Sequence, residues 1–496
     1  MSQTDRQDGR QEIKPDICVI GAGVGGRAAA MAAAAFGVNV VLVERGPANS
    51  EHPAAAAEAG ASRNGALASK ALLAAAARSW LIRQGARAGG APAGGPGDDP
   101  AGHFMAAQAH VRAVLAAAAP ETARERIRGL GVRVLAGDAH FTDPRTVAVD
   151  GFDIRARRFI IATGASPAKP DIPGLSETPY LTTDTIFDLT ACPRHLLVIG
   201  ANGVALELAQ AFGRLGAAVT VLDTAAPLAE ADPECANILR QALAREGVSL
   251  RAPVTLTRIR GEGDGVAAEI AADGGTEIIA GSHILVATGR RPNVEGLGLD
   301  AAGIRHDARG IAVDRGLRTR NRQVYAIGEA AGAAALNHLA RHQAGLVVRN
   351  ALFRTPAGSD RNAVPAVIHT DPELAQVGQS EAQARAAVGR IRILRAAYGE
   401  NDRARAEGSL TGHVKIVTDR KGAILGVSIV GPGAAEAIVP WTLALAQRLN
   451  IEAMAGVIVP YATYAEVGKR AAMTYFTRGL TSPLVRRIIV WLRRFG

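Results

Sequence analysis

Two glycine-rich turns, each set between an apolar strand and a helix, begin at Gly21 and Gly200. The first follows Ile17-Cys18-Val19-Ile20 and reads Gly21-Ala22-Gly23-Val24-Gly25-Gly26. An alanine-rich helical stretch and a second apolar strand, Val40-Val41-Leu42-Val43, then lead to Glu44. In such a βαβ unit the first glycine permits the tight turn and the second lets backbone approach a pyrophosphate. The third lets helix and strand pack closely, and the terminal acid can hydrogen-bond a ribose. Gly21, Gly23, Gly26 and Glu44 are therefore candidate nucleotide contacts. A bare glycine motif carries little weight, but both strands and a correctly spaced acid frame this one. The second unit starts at His195-Leu196-Leu197-Val198-Ile199, turns at Gly200-Ala201-Asn202-Gly203-Val204-Ala205 and ends at Val219-Thr220-Val221-Leu222-Asp223. A strand ending in Ala-Thr-Gly also occurs twice, at 159–164 and 283–289. The chain reads as a duplicated nucleotide-binding design, which implies two nucleotides held face to face and hydride transfer between them.

The 496 residues suffice for about three domains. Only 4% are aromatic, so alanine and glycine do much of the packing, as close α/β layers require. The net charge of +10 is uneven, with Arg478, Arg486, Arg487, Arg493 and Arg494 and no acid in the last stretch. A basic face interleaved with aromatics is missing, so no nucleic-acid partner is expected. Cys18, Cys192 and Cys235 are far apart and form no CxxC, so neither a zinc site nor a local redox pair is encoded and no metal is expected. Scattered thiols and a polar start without an apolar signal segment point to the cytoplasm. Residues 86–102 read as a Gly/Pro-rich loop and 103–130 as helical. Past Val364-Pro365, strands at Val414–Val417 and Ile424–Ile429 and two long helices suggest an interface domain.

Together these motifs resemble the class I pyridine nucleotide-disulfide oxidoreductases, the family of dihydrolipoamide dehydrogenase, glutathione reductase and mercuric reductase. The resemblance runs from about Ile13 to about Phe476. Its landmarks are the first glycine turn, Ser69-Lys70, Ala162-Thr163-Gly164, 287–293, Tyr325-Ala326-Ile327-Gly328 and Thr370-Asp371-Pro372-Glu373. Residues 128–132 and 400–404 look most like the mercuric-reductase-like branch. The resemblance implies an α/β fold with two Rossmann-like domains and a C-terminal α+β dimerisation domain. The division expected is an FAD domain in two parts (1–164 and 285–360), an NAD(P) domain (165–284), a dimerisation domain (361–480) and a basic tail (481–496). It also implies a homodimer, FAD in the first site and NAD(P)H in the second.

The departures from the family carry the functional information. The family's CxxxxC pair, counted back from Ser69-Lys70, falls on Ala61 and Ala66, and Ala68 is a further change. Alanine forms neither a thiolate nor a mixed disulfide, so disulfide or mercuric reduction by the family route is not expected. The family's His-Pro-x-x-x-Glu motif aligns with Tyr461 to Glu466, placing a poor base where the thiol's histidine belongs. Tyr461 is either an interface packing residue or a substrate-facing one. Lys70 matches the lysine near flavin N5 and Glu207 its ion-pair partner. With Tyr461 and Glu466 they form the candidate catalytic set.

The resemblance assigns Ala139, Thr163, Gly164, Glu329, Leu336 and His338 to FAD. Glu329 replaces an aspartate that bonds the ribityl chain, and the helix after Leu336 points its N-terminus at the pyrimidine. Gly200, Asn202, Glu207, Asp223 and Gly289 are assigned to the nicotinamide nucleotide. Asn202 stands where the second glycine belongs and is expected to crowd the pyrophosphate. No arginine follows Asp223, which favours NADH over NADPH. Residues 484–495 alternate paired arginines with apolar residues, as in a peripheral anchor on anionic lipid at the inner face of the cell membrane. The leading expectation is an FAD-dependent NADH oxidoreductase that passes electrons from flavin to a small diffusible acceptor such as a quinone. A nicotinamide transhydrogenase and a non-catalytic scaffold remain as alternatives.

Overall fold

A computed structural model describes residues 6–7, 10–45, 65–88, 99–122, 124–272, 275–353, 358, 361–480 and 483–495. Two five-stranded parallel sheets of the same design organise the chain. In the first, Val324–Ala326, Arg158–Ile161, Ile17–Ile20, Val40–Glu44 and Arg133–Ala136 lie side by side in that order. In the second the order is Leu181–Thr182, His283–Val286, His195–Ile199, Ala218–Leu222 and Ser249–Arg251. Parallel strands are covered on both faces, which is why these runs are apolar without alternation. Side-chain direction still alternates along them. Cys18 and Ile20 enter one core of the first unit while Ile17 and Val19 enter the other. Leu196 and Val198 part from Leu197 and Ile199 in the same way.

The third unit is an antiparallel sheet ordered Ala366–Ile368, Glu373–Gly378, Ile424–Gly431, His413–Asp419 and Ile391–Ala397. Of the two long helices expected here, one forms, at Ala465–Leu480; the other apolar stretch breaks into Val439–Ala446 and Ile451–Gly456. Most of the loop expected over 86–102 that can be described is helical. Gly65–Ala88 and Pro100–Thr122 pack as neighbours, and 89–98 lies outside the described residues. Alanine's helix propensity outweighs the scattered glycines in these two segments. The strand His283–Val286 is hydrogen-bonded into the second sheet, so the division expected at 284/285 moves past its end. An antiparallel ribbon, Ala165–Pro167 against Arg290–Pro292, then ties the exits of the two Ala-Thr-Gly turns together.

The second and third units are joined through one buried ammonium. Lys415, 2% exposed, reaches Asp232 Oδ2 at 2.7 Å, Glu234 Oε1 at 2.7 Å and Glu381 Oε2 at 2.9 Å. Asp232 and Glu234 belong to the second unit and Glu381 to the third. Hydrogen bonds from Arg395, with help from Lys415, hold Glu234 down at about 2. Replacing Lys415 by Met would leave three carboxylates facing one another without their shared cation. Unfolding in denaturant is expected to show a loss of about 3–5 kcal/mol, the scale for breaking a buried ion pair from one side. A loss under about 1 kcal/mol would show that Lys415 does not hold the two units together.

Candidate active site

The helix Gly65–Ala88 carries Lys70 one turn past Ala66, and the helix Gly203–Leu215 carries Glu207. Their side chains meet: Lys70 Nζ lies 2.6 Å from Glu207 Oε2. Glu207 is 4% exposed and Lys70 36%, so the carboxylate is sunk and the ammonium faces an opening. The second oxygen, Oε1, accepts the backbone N–H of His369 at 2.7 Å. One carboxylate thus gathers a lysine from the first unit and a backbone N–H from the third. Ala66, at the start of its helix, is exposed, whereas Ala61 lies outside the described residues.

The first glycine turn has the shape a dinucleotide needs. Gly21 has φ +102°, and a Cβ there would fall 2.4 Å from Ala162 O. At Gly26 a Cβ would strike Gly21 O at 1.8 Å, whereas at Gly23 it would meet nothing within 4 Å. The turn is therefore closed toward the protein and open toward a ligand. Glu44 ends the second strand, and its carbonyl accepts from Gly137 N–H at 3.0 Å, which brings half-buried Ala139 nearby. Thr163 Oγ1 donates to Asn293 O at 2.7 Å, fixing the first Ala-Thr-Gly turn against the segment that follows the second. Past Gly164, Glu329 is half-buried, with a buried Oε1 that lacks a hydrogen-bond donor; Arg290 Nε is 3.2 Å away but out of line. Burial raises the Glu329 carboxyl above its usual range, and the Arg290 charge offsets part of that. A glycine turn open toward a ligand at Gly23 and an acceptor without a donor at Glu329 fit a dinucleotide with a hydroxyl-rich chain, so these residues fit FAD. Leu336 is half-buried just before the helix Asn337–Phe353, and exposed His338 donates from Nε2 to Pro365 O at 2.9 Å.

In the second turn Gly200 has φ +114°, and a Cβ there would meet Ala287 O at 2.5 Å. Asn202 caps the helix: Oδ1 accepts from Ala205 N–H at 3.1 Å, and Nδ2 donates to Ala287 O at 2.6 Å. Its side chain is thereby held by the protein's own backbone. Asp223 Oδ2 accepts from Ala201 N–H at 2.6 Å and Oδ1 from Ala225 N–H at 3.0 Å, so it also braces the turn. Thr224, Ala225 and Ala226 are exposed and carry no cation. A Cβ on Gly289 would meet nothing within 4 Å, leaving that edge open as well.

Tyr461 and Glu466 are not brought to Lys70 within the chain. Tyr461 is 77% exposed, and its hydroxyl donates to Asp402 Oδ2 at 3.4 Å. Glu466 Oε2 accepts from Thr463 N–H at 3.2 Å and so caps its own helix. The three cysteines are engaged elsewhere. Burial raises the Cys18 and Cys235 thiols well above their usual range, and raises Cys192 to about 11. None is a ready thiolate. Asp232, Cys235 and His413 come together in a group with metal-ligand chemistry. There Asp232 Oδ1 already caps a helix and Oδ2 holds Lys415, so the cation position is filled by the protein's own ammonium. Sequence reasoning missed Arg290 and His369, since each acquires its neighbours only through chain crossings.

A family model described as pyridine nucleotide-disulphide oxidoreductase matches residues 15–352, and one for the corresponding dimerisation domain matches residues 364–472. The chain is 34% identical over 469 residues to a mercuric reductase of Streptomyces lividans, covering 93% of this chain and 96% of that protein. Against a mercuric reductase of Staphylococcus aureus the identity is 34% over 352 residues, covering 70% of this chain and 64% of that longer protein. A dihydrolipoyl dehydrogenase 3 of Pseudomonas aeruginosa is 35% identical over 332 residues, covering 66% and 71%. Among solved structures, LpdA of Mycobacterium tuberculosis superposes with a TM-score of 0.79 at 26% identity, covering 94% of this chain and all of that one. The Cu(II) complex of the HOCl-induced flavoprotein disulfide reductase RclA of Escherichia coli shares the fold, with a TM-score of 0.80 at 23% identity, over 93% of this chain and 99% of that one.

The Lys70–Glu207 contact can be tested as a pair. Lys70→Met leaves a sunken carboxylate with one backbone donor and is expected to cost about 1–3 kcal/mol in denaturant unfolding. Adding Glu207→Leu removes the orphaned charge, and the double variant should lose less than the sum of the singles. Strict additivity would mean the two side chains do not interact.

Proposed function

Because the chain belongs to the pyridine nucleotide-disulphide oxidoreductase family, we propose that it is an FAD-dependent NADH oxidoreductase that delivers electrons to a diffusible quinone without a thiol relay. The observation that carries this reading is the intact Lys70–Glu207 pair beside a helix start that has Ala66 where a thiol would stand. Bound FAD supplies two-electron exchange between NADH and a second acceptor. Lys70 contributes a fixed ammonium where negative charge develops, and Glu207 keeps it from swinging into solvent. Gly23 and the orphaned Glu329 oxygen are the contacts for the first nucleotide. Gly200, Gly289 and the Asp223-braced turn serve the second. The uncharged surface after Asp223 supports NADH over NADPH and weighs against transhydrogenation, which needs a second nicotinamide nucleotide.

The family's dimerisation domain supports a homodimer. Exposed Ile458 and Tyr461 on that domain are consistent with a face that a second subunit covers. The C-terminal helix Pro483–Leu492 carries a peripheral function in the same reading. Its Ile489, Trp491 and Leu492, with Phe495 beyond, are each at least half exposed. Arg486, Arg487, Arg493 and Arg494 are exposed around them. Among the described residues no helix is long and apolar enough to cross a membrane. A basic amphipathic end of this kind fits the surface of an anionic bilayer, where quinones reside.

Two outcomes are expected. Purified holoenzyme should oxidise NADH with a soluble quinone at a rate unchanged by thiol alkylation, and a thiol-sensitive rate would contradict the relay-free route. Removal of residues 483–496 should abolish co-sedimentation with anionic vesicles at low salt. Equal sedimentation of the full and truncated chains, or none of either, would remove the membrane contact.

A further inference from the structure

The exposed side of Lys70 borders a cavity of about 400 Å³ that, Lys70 apart, is lined by none of the residues assigned to the nucleotides. One wall is a single face of the helix Gly65–Ala88, with Lys70, Ala74 and Ala77 at i, i+4 and i+7. The facing wall is polar and includes Arg214, His369, Asp371 and Glu373. Flat apolar surface opposed by a few convergent polar groups is the usual make-up of a small-molecule pocket. Most of those groups are committed. Arg214 is held by Glu246 at 2.5 Å and Asp371 at 2.8 Å. His369 is not. Its backbone N–H is fixed by Glu207, and Nδ1 lies 3.6 Å from Glu373 Oε1. Glu373 is anchored in turn by Ala435 N–H at 2.9 Å. Nε2 of His369 makes no hydrogen bond among the described residues.

We propose that this cavity binds the quinone and that His369 is its proton donor, an inference that rests on the proposed function and names its acceptor site. The small side chains of Ala74 and Ala77 leave a surface on which an aromatic ring can lie, with Lys70 and His369 as the two donors for carbonyl oxygens. Quinone reduction needs two electrons and two protons. Bound FAD would supply the two electrons and one proton taken from NADH. The second proton passes from His369 Nε2 to a quinone oxygen, forming an O–H bond and leaving a neutral imidazole that water reprotonates. The charges facing His369 are Lys70 from one helix, Glu207 and Arg214 from the next, and Asp371 and Glu373 from its own turn.

Binding can be measured without turnover, by calorimetric titration of the oxidised holoenzyme with menadione in the absence of NADH. Ala74→Trp fills the cavity from an exposed position and should weaken binding by at least about tenfold. In turnover, His369→Gln should be slower by about a hundredfold at saturating menadione, with its affinity for menadione little changed. Unchanged menadione affinity in Ala74→Trp, or an unchanged turnover rate in His369→Gln, overturns the inference. If NADH reduces the flavin but the cavity variants change nothing, the acceptor site fails and the oxidoreductase reading stands. If menadione binds in the cavity but NADH does not reduce the flavin, the oxidoreductase reading and His369's role as donor both fail, leaving only a ring-binding cavity.

Discussion

The carboxylate of Glu207 is where the three parts of this chain meet. It projects from the first helix of the second unit, takes Lys70 of the first unit on one oxygen, and takes the His369 N–H of the third on the other. A carboxylate buried to 4% exposure is tolerated only with such partners, because desolvation without compensation is costly. The requirement works in both directions. The pair fixes the spacing of the helices Gly65–Ala88 and Gly203–Leu215, and that spacing holds Lys70 at the mouth of the cavity beyond. The Ala165–Pro167 to Arg290–Pro292 ribbon and the Lys415 cluster repeat the arrangement elsewhere, so each junction between units is closed by polar groups that satisfy one another.

Against this retained frame, the loss of thiols is confined to chemistry. Ala66 sits in a helix start that needs no sulfur for its fold, and the remaining cysteines are packing residues with thiols driven upward by burial. In the proposed reading, the family's electron entry persists without its disulfide exit. Reaction at such a site depends on what reaches the Lys70 side and what supplies protons there. That places weight on the residues lining the cavity rather than on a covalent relay.

Much of the fold was legible because both parallel sheets write themselves as uninterrupted apolar runs followed by glycine turns. Gly21, Gly26 and Gly200 could be assigned their duties from spacing, and each proves to sit where a Cβ would collide with backbone. The Lys70–Glu207 contact spans 137 positions and was legible only through family resemblance. The strands at 366–368, 373–378 and 391–397 escaped notice because they are short and are flanked by Pro365 and Pro372 or interrupted by Arg392 and Arg395. His369 could not have been singled out, since a histidine before Thr-Asp-Pro-Glu has no distinctive spacing and its neighbours arrive from two other units. Asn202 shows the opposite limit. Its position suggested crowding of a ligand, while its geometry turns the side chain into the helix cap and onto Ala287 O.

The central claim is that flavin is the only redox centre between NADH and the acceptor, and electron counting tests it most directly. Anaerobic titration of the purified holoenzyme with NADH should bleach the flavin fully at about one equivalent per FAD, without the long-wavelength band of a thiolate–flavin charge-transfer complex. Failure of NADH to bleach the flavin, or a requirement for about two equivalents with such a band appearing midway, would contradict it.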